Sequence, residues 1–119
     1  MKTAEFFLDW PVKTLSPNAR QHWSRVASAK KAAKRNAYYS VLQAGIGKID
    51  AVTITVKLSF FPPDARHRDT DNILSSCKAS LDGVSEAIGI DDSRWNLVLE
   101  PRGPIEKNGM VKVKLEWKE

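Results

Sequence analysis

A mixed α/β sheet of about four strands with two helices packed on it, in the order β-α-β-α-β-β, is the fold this sequence predicts. Three observations lead there. Residues 51–60 alternate strictly between apolar and polar side chains, two stretches repeat their apolar residues at helical spacing, and a second alternating run follows a turn-rich segment near the end.

The elements follow in chain order. Glu5 to Trp10 puts Phe6, Leu8 and Trp10 on one side of a short strand, and a proline-punctuated loop runs from Pro11 to Pro17. Ser16-Pro17-Asn18 then opens a helix. At about 100° per residue, Trp23, Val26, Ala29, Ala33, Ala37, Val41 and Ala44 fall in one apolar arc. Arg20, Lys31 and Arg35 gather opposite, with Lys34 at their edge, so the helix has a cationic outer face. Gly45 and Gly47 end it.

From Ala51 to Phe60 the inward residues are Val52, Ile54, Val56, Leu58 and Phe60. Pro62-Pro63 stops that strand, and the polar segment from Asp64 to Asn72 leads into a second helix carrying Ile73, Cys77, Leu81, Val84 and Ile88 on its apolar face. Gly89 supplies the left-handed residue that ends it, with Ile90 packing back. Two strands remain, Trp95 to Glu100 and Met110 to Trp117, joined by PRGPIEKNG.

Composition narrows the class. With 119 residues and 42% hydrophobic side chains, the chain closes one core, spanning 1–119 as a single domain, and is neither disordered nor long enough for two ordinary domains. A lone Cys77 excludes an internal disulfide framework and a cysteine-only zinc site, and sits most simply in the core. No apolar run approaches the roughly 18 residues of a membrane span, and MKTAEFFLDW carries acids where a secretory leader would be apolar. The expected setting is the cytoplasm, with no membrane partner.

The net charge of +5 is unevenly placed. Between Trp10 and Lys48 there are eight Lys/Arg and no acid, whereas Asp50 to Glu100 holds nine acids and five bases. A basic first half suggests an anionic partner. The densest polar cluster is His67-Arg68-Asp69-Thr70-Asp71-Asn72, where a strand's end meets a helix's start. Carboxylates two apart on an extended stretch point the same way, so Asp69 and Asp71 are expected to face one point, and Asp91-Asp92 to approach them if the strand that follows lies beside the 51–60 strand. Three converging acids repel unless a cation is bound, and a hard divalent ion such as Mg²⁺ takes such oxygen ligands. The plainer reading is also open: Asp69 or Asp71 caps the helix, and Asp91-Asp92 is a solvated turn. Lys78 shares the polar helix face with Asp71, Ser75 and Asp82, where it serves as either a phosphate ligand or a solvated charge. His22 and His67 lie at no metal-ligand spacing from one another and read as surface residues.

The run PPDARHRDTDN, the lysine on the following helix, and the LDG and GIDD segments resemble the RusA Holliday-junction resolvases, endonucleases of bacteria and their phages. LSPNARQHW resembles that family's pattern ahead of its first helix. The resemblance implies a Mg²⁺-dependent cut of DNA phosphodiesters, with Mn²⁺ as a substitute, made by a homodimer that nicks a four-way junction in pairs. It implies metal-binding and catalytic roles for Asp69, Asp71 and Asp92, with Asp91 as their neighbour, and a catalytic role for Lys78. In the family that lysine follows the second acid by about one turn, whereas here seven residues separate Asp71 from Lys78. Arg20, Lys31, Lys34, Arg35, Arg66 and Arg68 would then bind DNA backbone. Two other readings stay in play: a branched-DNA-binding module without chemistry, and a flap or nick nuclease that needs no junction.

Overall fold

The alternating segments pair into one sheet, and the helical ones cover one of its faces. In the computed structural model, which describes residues 1–118, the elements are β1 (Lys2–Asp9), α1 (Trp23–Gln43), β2 (Ile54–Phe61), α2 (Thr70–Ser76), α3 (Lys78–Ile88), β3 (Trp95–Leu99) and β4 (Met110–Trp117). Short 3-10 turns lie at Lys13–Leu15 and Asp92–Arg94. The expected order holds, with the second helix divided in two.

The sheet order is β1-β4-β2-β3. β4 runs antiparallel to both its neighbours, and β3 runs parallel to β2. A parallel neighbour requires a crossover, which α2 and α3 provide across the helix-covered face. Phe6, Leu8, Ile54, Val56, Leu58, Phe60, Val111, Val113 and Leu115 point into the core, against Ala37, Val41, Ile73, Cys77, Leu81, Val84 and Ile88 from the helices. The other face is open and carries polar rows such as Lys57, Lys112 and Lys114. α1 crosses α3 at Gly83, where a Cβ would stand 2.2 Å from the carbonyl oxygen of Lys34; hydrogen is the side chain that lets the backbones meet there.

Four local expectations need correction. β2 starts at Ile54, not Ala51, and Val52 is 77% exposed, because the strands on either side first offer partners at Ile54 and Thr55. α1 starts at Trp23 with His22 as its cap, the imidazole Nδ1 accepting from the Ser24 N–H at 3.2 Å; Arg20 therefore precedes the helix. Trp23 is 75% exposed and only Ala37 and Val41 of α1 are fully buried, so the first turn of the helix lies beyond the packed core. The second helix is interrupted at Cys77, whose N–H is shared between the Ile73 and Leu74 carbonyls. Next to it the Ser76 hydroxyl donates back to the Asn72 carbonyl at 2.8 Å, a bond that competes with the helical ladder and bends helices. The path continues, since the Leu81 N–H returns to the Cys77 carbonyl at 2.9 Å. No helix among the described residues is long and apolar enough to cross a membrane.

Candidate functional site

The strand-to-helix segment after β2 is held by arginines. Arg68 pairs with Asp64 at 2.9 Å, donates to the carbonyls of Asp64 and Arg66, and lies over the Trp10 ring at 5.5 Å. Its side chain is only 18% exposed, so the guanidinium expected to meet DNA is instead engaged in shaping the loop. The Arg68 guanidinium and the Arg66 N–H hold the Asp64 carboxyl below the usual carboxylate range. From the other side Arg102 donates to the Arg68 carbonyl at 2.6 Å and to the Thr70 hydroxyl at 3.0 Å, fastening the start of α2.

That loop delivers Asp69 and Asp71. Asp69 is the N-cap residue of α2 in extended backbone, its carbonyl accepting from Asn72 and Ile73, yet its carboxylate makes no capping bond. The carboxylate meets His67 Nε2 at 3.3 Å, and Asp69 lines a cleft with Trp10, Asn18, Asp64, Arg66 and Asn72. Asp71 is already inside the first turn of α2. The backbone changes from extended at Asp69 to helical at Thr70, so the expectation that both carboxylates leave one extended stretch is corrected. The helix starts one residue too early for it.

Asp71, Ser75, Lys78 and Asp82 are spaced four, three and four along the chain, with the break at Cys77 between Ser75 and Lys78. Ser75, Lys78 and Asp82 line a cleft of about 320 Å³ together with Asp92, Trp95 and Leu97. The parallel placement of β3 beside β2 brings Asp92 into one cleft with Lys78; the sequence predicts an approach to Asp69 and Asp71, and neither of these lines that cleft. Asp69 lines the other cleft, and among the described residues no three His, Cys, Asp or Glu side chains are grouped as metal ligands.

The two members of the second acidic pair differ. Asp91 caps the turn Asp92–Arg94, accepting from the Ser93 hydroxyl at 2.5 Å and from the Ser93 N–H at 3.0 Å. Those bonds, the hydroxyl's first, hold the Asp91 carboxyl below the ordinary range. Among the described residues, the side chains of Asp71, Lys78 and Asp92 make no hydrogen bond or ion pair. In kind the two carboxylates suit magnesium, which takes hard oxygens and is often held by one or two carboxylates completed by water and substrate phosphate.

Of the residues expected to touch DNA, Arg20, Lys31, Arg35 and Arg66 are exposed. Lys34 is paired to Glu86 of α3 at 3.2 Å across the helix crossing. Arg102 escaped the sequence reading because its partners lie 34 and 32 residues away, beyond any local pattern. The spacing of four between Asp64 and Arg68 was a readable signal for an ion pair. Cys77 is buried, and burial pushes its thiol up to about 12, which makes it a core residue and not a nucleophile.

No family model matches the chain. Over 91 residues, 74% of its length, it is 40% identical to an uncharacterized protein of Xylella fastidiosa, and the matched stretch spans 60% of that relative.

Proposed function

We propose that this chain is a RusA-type, Mg²⁺-dependent endodeoxyribonuclease that cuts four-way junctions or other branched DNA in paired phosphodiester cleavages, acting as a cytoplasmic homodimer in recombination, repair or phage DNA processing. The observation that carries the reading is a difference in commitment. Asp91, Asp64 and Arg68 are taken up by local bonds, whereas Lys78 and Asp92 stay unbonded in one cleft, and Asp71, in the first turn of α2, is unbonded as well. A lysine and a carboxylate that share one cleft without pairing leave both charges free for a phosphate and a metal ion.

Asp71 and Asp92, completed by water and substrate phosphate, would hold Mg²⁺, or Mn²⁺ in its place, which when bound neutralises charge at phosphorus and activates water. Lys78 would carry its ammonium to a phosphate oxygen and oppose the charge that grows there during attack. It stands at the start of α3, beyond the break at Cys77, and lines the same cleft as Asp92, so it suits the phosphate side of the cleft. Arg20, Lys31, Arg35 and Arg66 would grip backbone phosphates without reading sequence, as recognition of junction shape requires.

The test is a synthetic four-way junction incubated with Mg²⁺ and either the protein or its Asp71→Asn variant. The native chain should nick in pairs, and the variant should lose cutting at least 100-fold while binding the junction as well or better, since it sheds one repulsive charge. Binding without cutting by both would leave a DNA-binding module, and equal cutting of linear duplex would leave a nuclease without junction preference.

A further inference from the structure

β3 is an edge strand, and nothing in its sequence protects it. The opposite edge, β1, carries Lys2, Glu5 and Asp9, charges of the kind that discourage strand addition. β3 reads Trp95-Asn96-Leu97-Val98-Leu99, without a charge or a proline. The bond from the Glu100 N–H to the Leu58 carbonyl fixes which groups face inward: Glu100, Val98 and Asn96 turn toward β2, so the N–H and C=O groups of Trp95, Leu97 and Leu99 turn outward. The side chains tell the same story. Leu97 and Leu99 register with Val56 and Leu58, which are fully buried, yet are themselves 40% and 41% exposed. The helix layer stops short of β3, so the core's face runs on uncovered to the edge.

We infer that β3 pairs antiparallel with β3 of a second copy about a two-fold axis at Leu97, joining two sheets into one. Among two-fold registers that match outward groups to outward groups, this one uses all of them: Leu97 opposes Leu97 of the second copy, and Trp95 opposes its Leu99, on the apolar side. The same register brings Arg94, the last residue of the turn Asp92–Arg94, toward Glu100 of the second copy at both ends, a complementary charge pair that a shift by two residues removes. Trp95 and Leu97 also line the Lys78 and Asp92 cleft, so the partner completes that cleft's wall. The inference names the surface through which the proposed homodimer forms. It rests on the nuclease reading for why two copies are useful and not for the interface itself.

Sedimentation velocity on the purified full chain without DNA, from about 1 µM to about 200 µM, should show a monomer–dimer equilibrium. Leu97→Arg, which opposes two guanidinium groups at the axis, and Leu99→Arg should each raise the midpoint concentration at least tenfold, with an unchanged far-UV circular dichroism spectrum. Phe7→Arg, a comparably exposed site on β1, should leave it unchanged. Glu100→Arg should weaken the dimer, and adding Arg94→Glu in the same chain should restore it. A chain monomeric throughout, a dimer that survives both leucine variants, or one abolished by Phe7→Arg overturns the interface; failure of the charge swap to restore association overturns the register. Junction cleavage is measured separately. A dimer that never cuts defeats the nuclease reading and leaves the interface standing, and a monomer that cuts does the reverse.

Discussion

Adjacent aspartates with the same chemistry hold different positions because one neighbour, Ser93, offers two donors to Asp91 and none to Asp92. Substitution separates them. Asp91→Asn should lower the melting temperature slightly, since it weakens the cap on the turn into β3, and should retain most junction cleavage. Asp92→Asn should leave the melting temperature unchanged and lose cleavage at least 100-fold, by thermal melting and single-turnover assay of the same preparations. The sequence singled out both residues; only their hydrogen bonds rank them. Arg68 shows the converse. Beside two acids it reads as a DNA-binding residue, but Trp10 and Asp64 surround it in the fold, and neither its stacking nor its 18% exposure has a sequence signature.

Among the elements, the crossing of α1 over α3 is the tightest junction. The Lys34 carbonyl at the Gly83 site belongs to a helix backbone and cannot swing aside as a side chain would. Gly83→Ala should therefore cost about 3 kcal/mol in urea unfolding, against the slight gain expected of alanine in an unobstructed helix. The strands and helix ends were legible from alternation and from Gly89, which adopts φ 75° as the C-cap of α3. The start of α1 was not, because Ser16 and Asn18 offer the usual capping side chains while the cap in use is His22, a residue type that gives little capping signal. Nor was the division at Cys77, which depends on a hydroxyl turning back on its own helix.

At the scale of the whole molecule, charge organises both surfaces. On the open sheet face Lys57 pairs with Glu116 at 2.9 Å; this bond raises the Lys57 ammonium above its ordinary range and lowers the Glu116 carboxyl below its own. The Glu116 contribution is present above the unfolded carboxylate range and fades as pH falls through its lowered folded value. The Lys57 contribution is complete below the ordinary lysine range and fades as pH rises through its raised folded value. The stability difference between the native chain and Glu116→Gln, followed by urea titration, should be small, widest near neutrality, and vanish at both extremes, because both groups meet solvent. On the helix side, Lys31→Gln with Arg35→Gln should weaken junction binding and flatten the slope of log affinity against log salt by about 1 for each phosphate no longer neutralised.

The mixed sheet, its element order and its core were readable in the chain because alternation and helical spacing are local, and burial selects for them residue by residue. The acids and lysine of the site were readable as a cluster for the same reason. Where they point was not. The early start of α2 takes Asp71 out of the extended stretch that carries Asp69, the parallel placement of β3 brings Asp92 into the cleft of Lys78, and a helix layer one strand too narrow leaves Leu97 and Leu99 open. Each of these depends on which distant segment arrives alongside, and that is settled by the joint packing of the whole sheet, which no single stretch of sequence records.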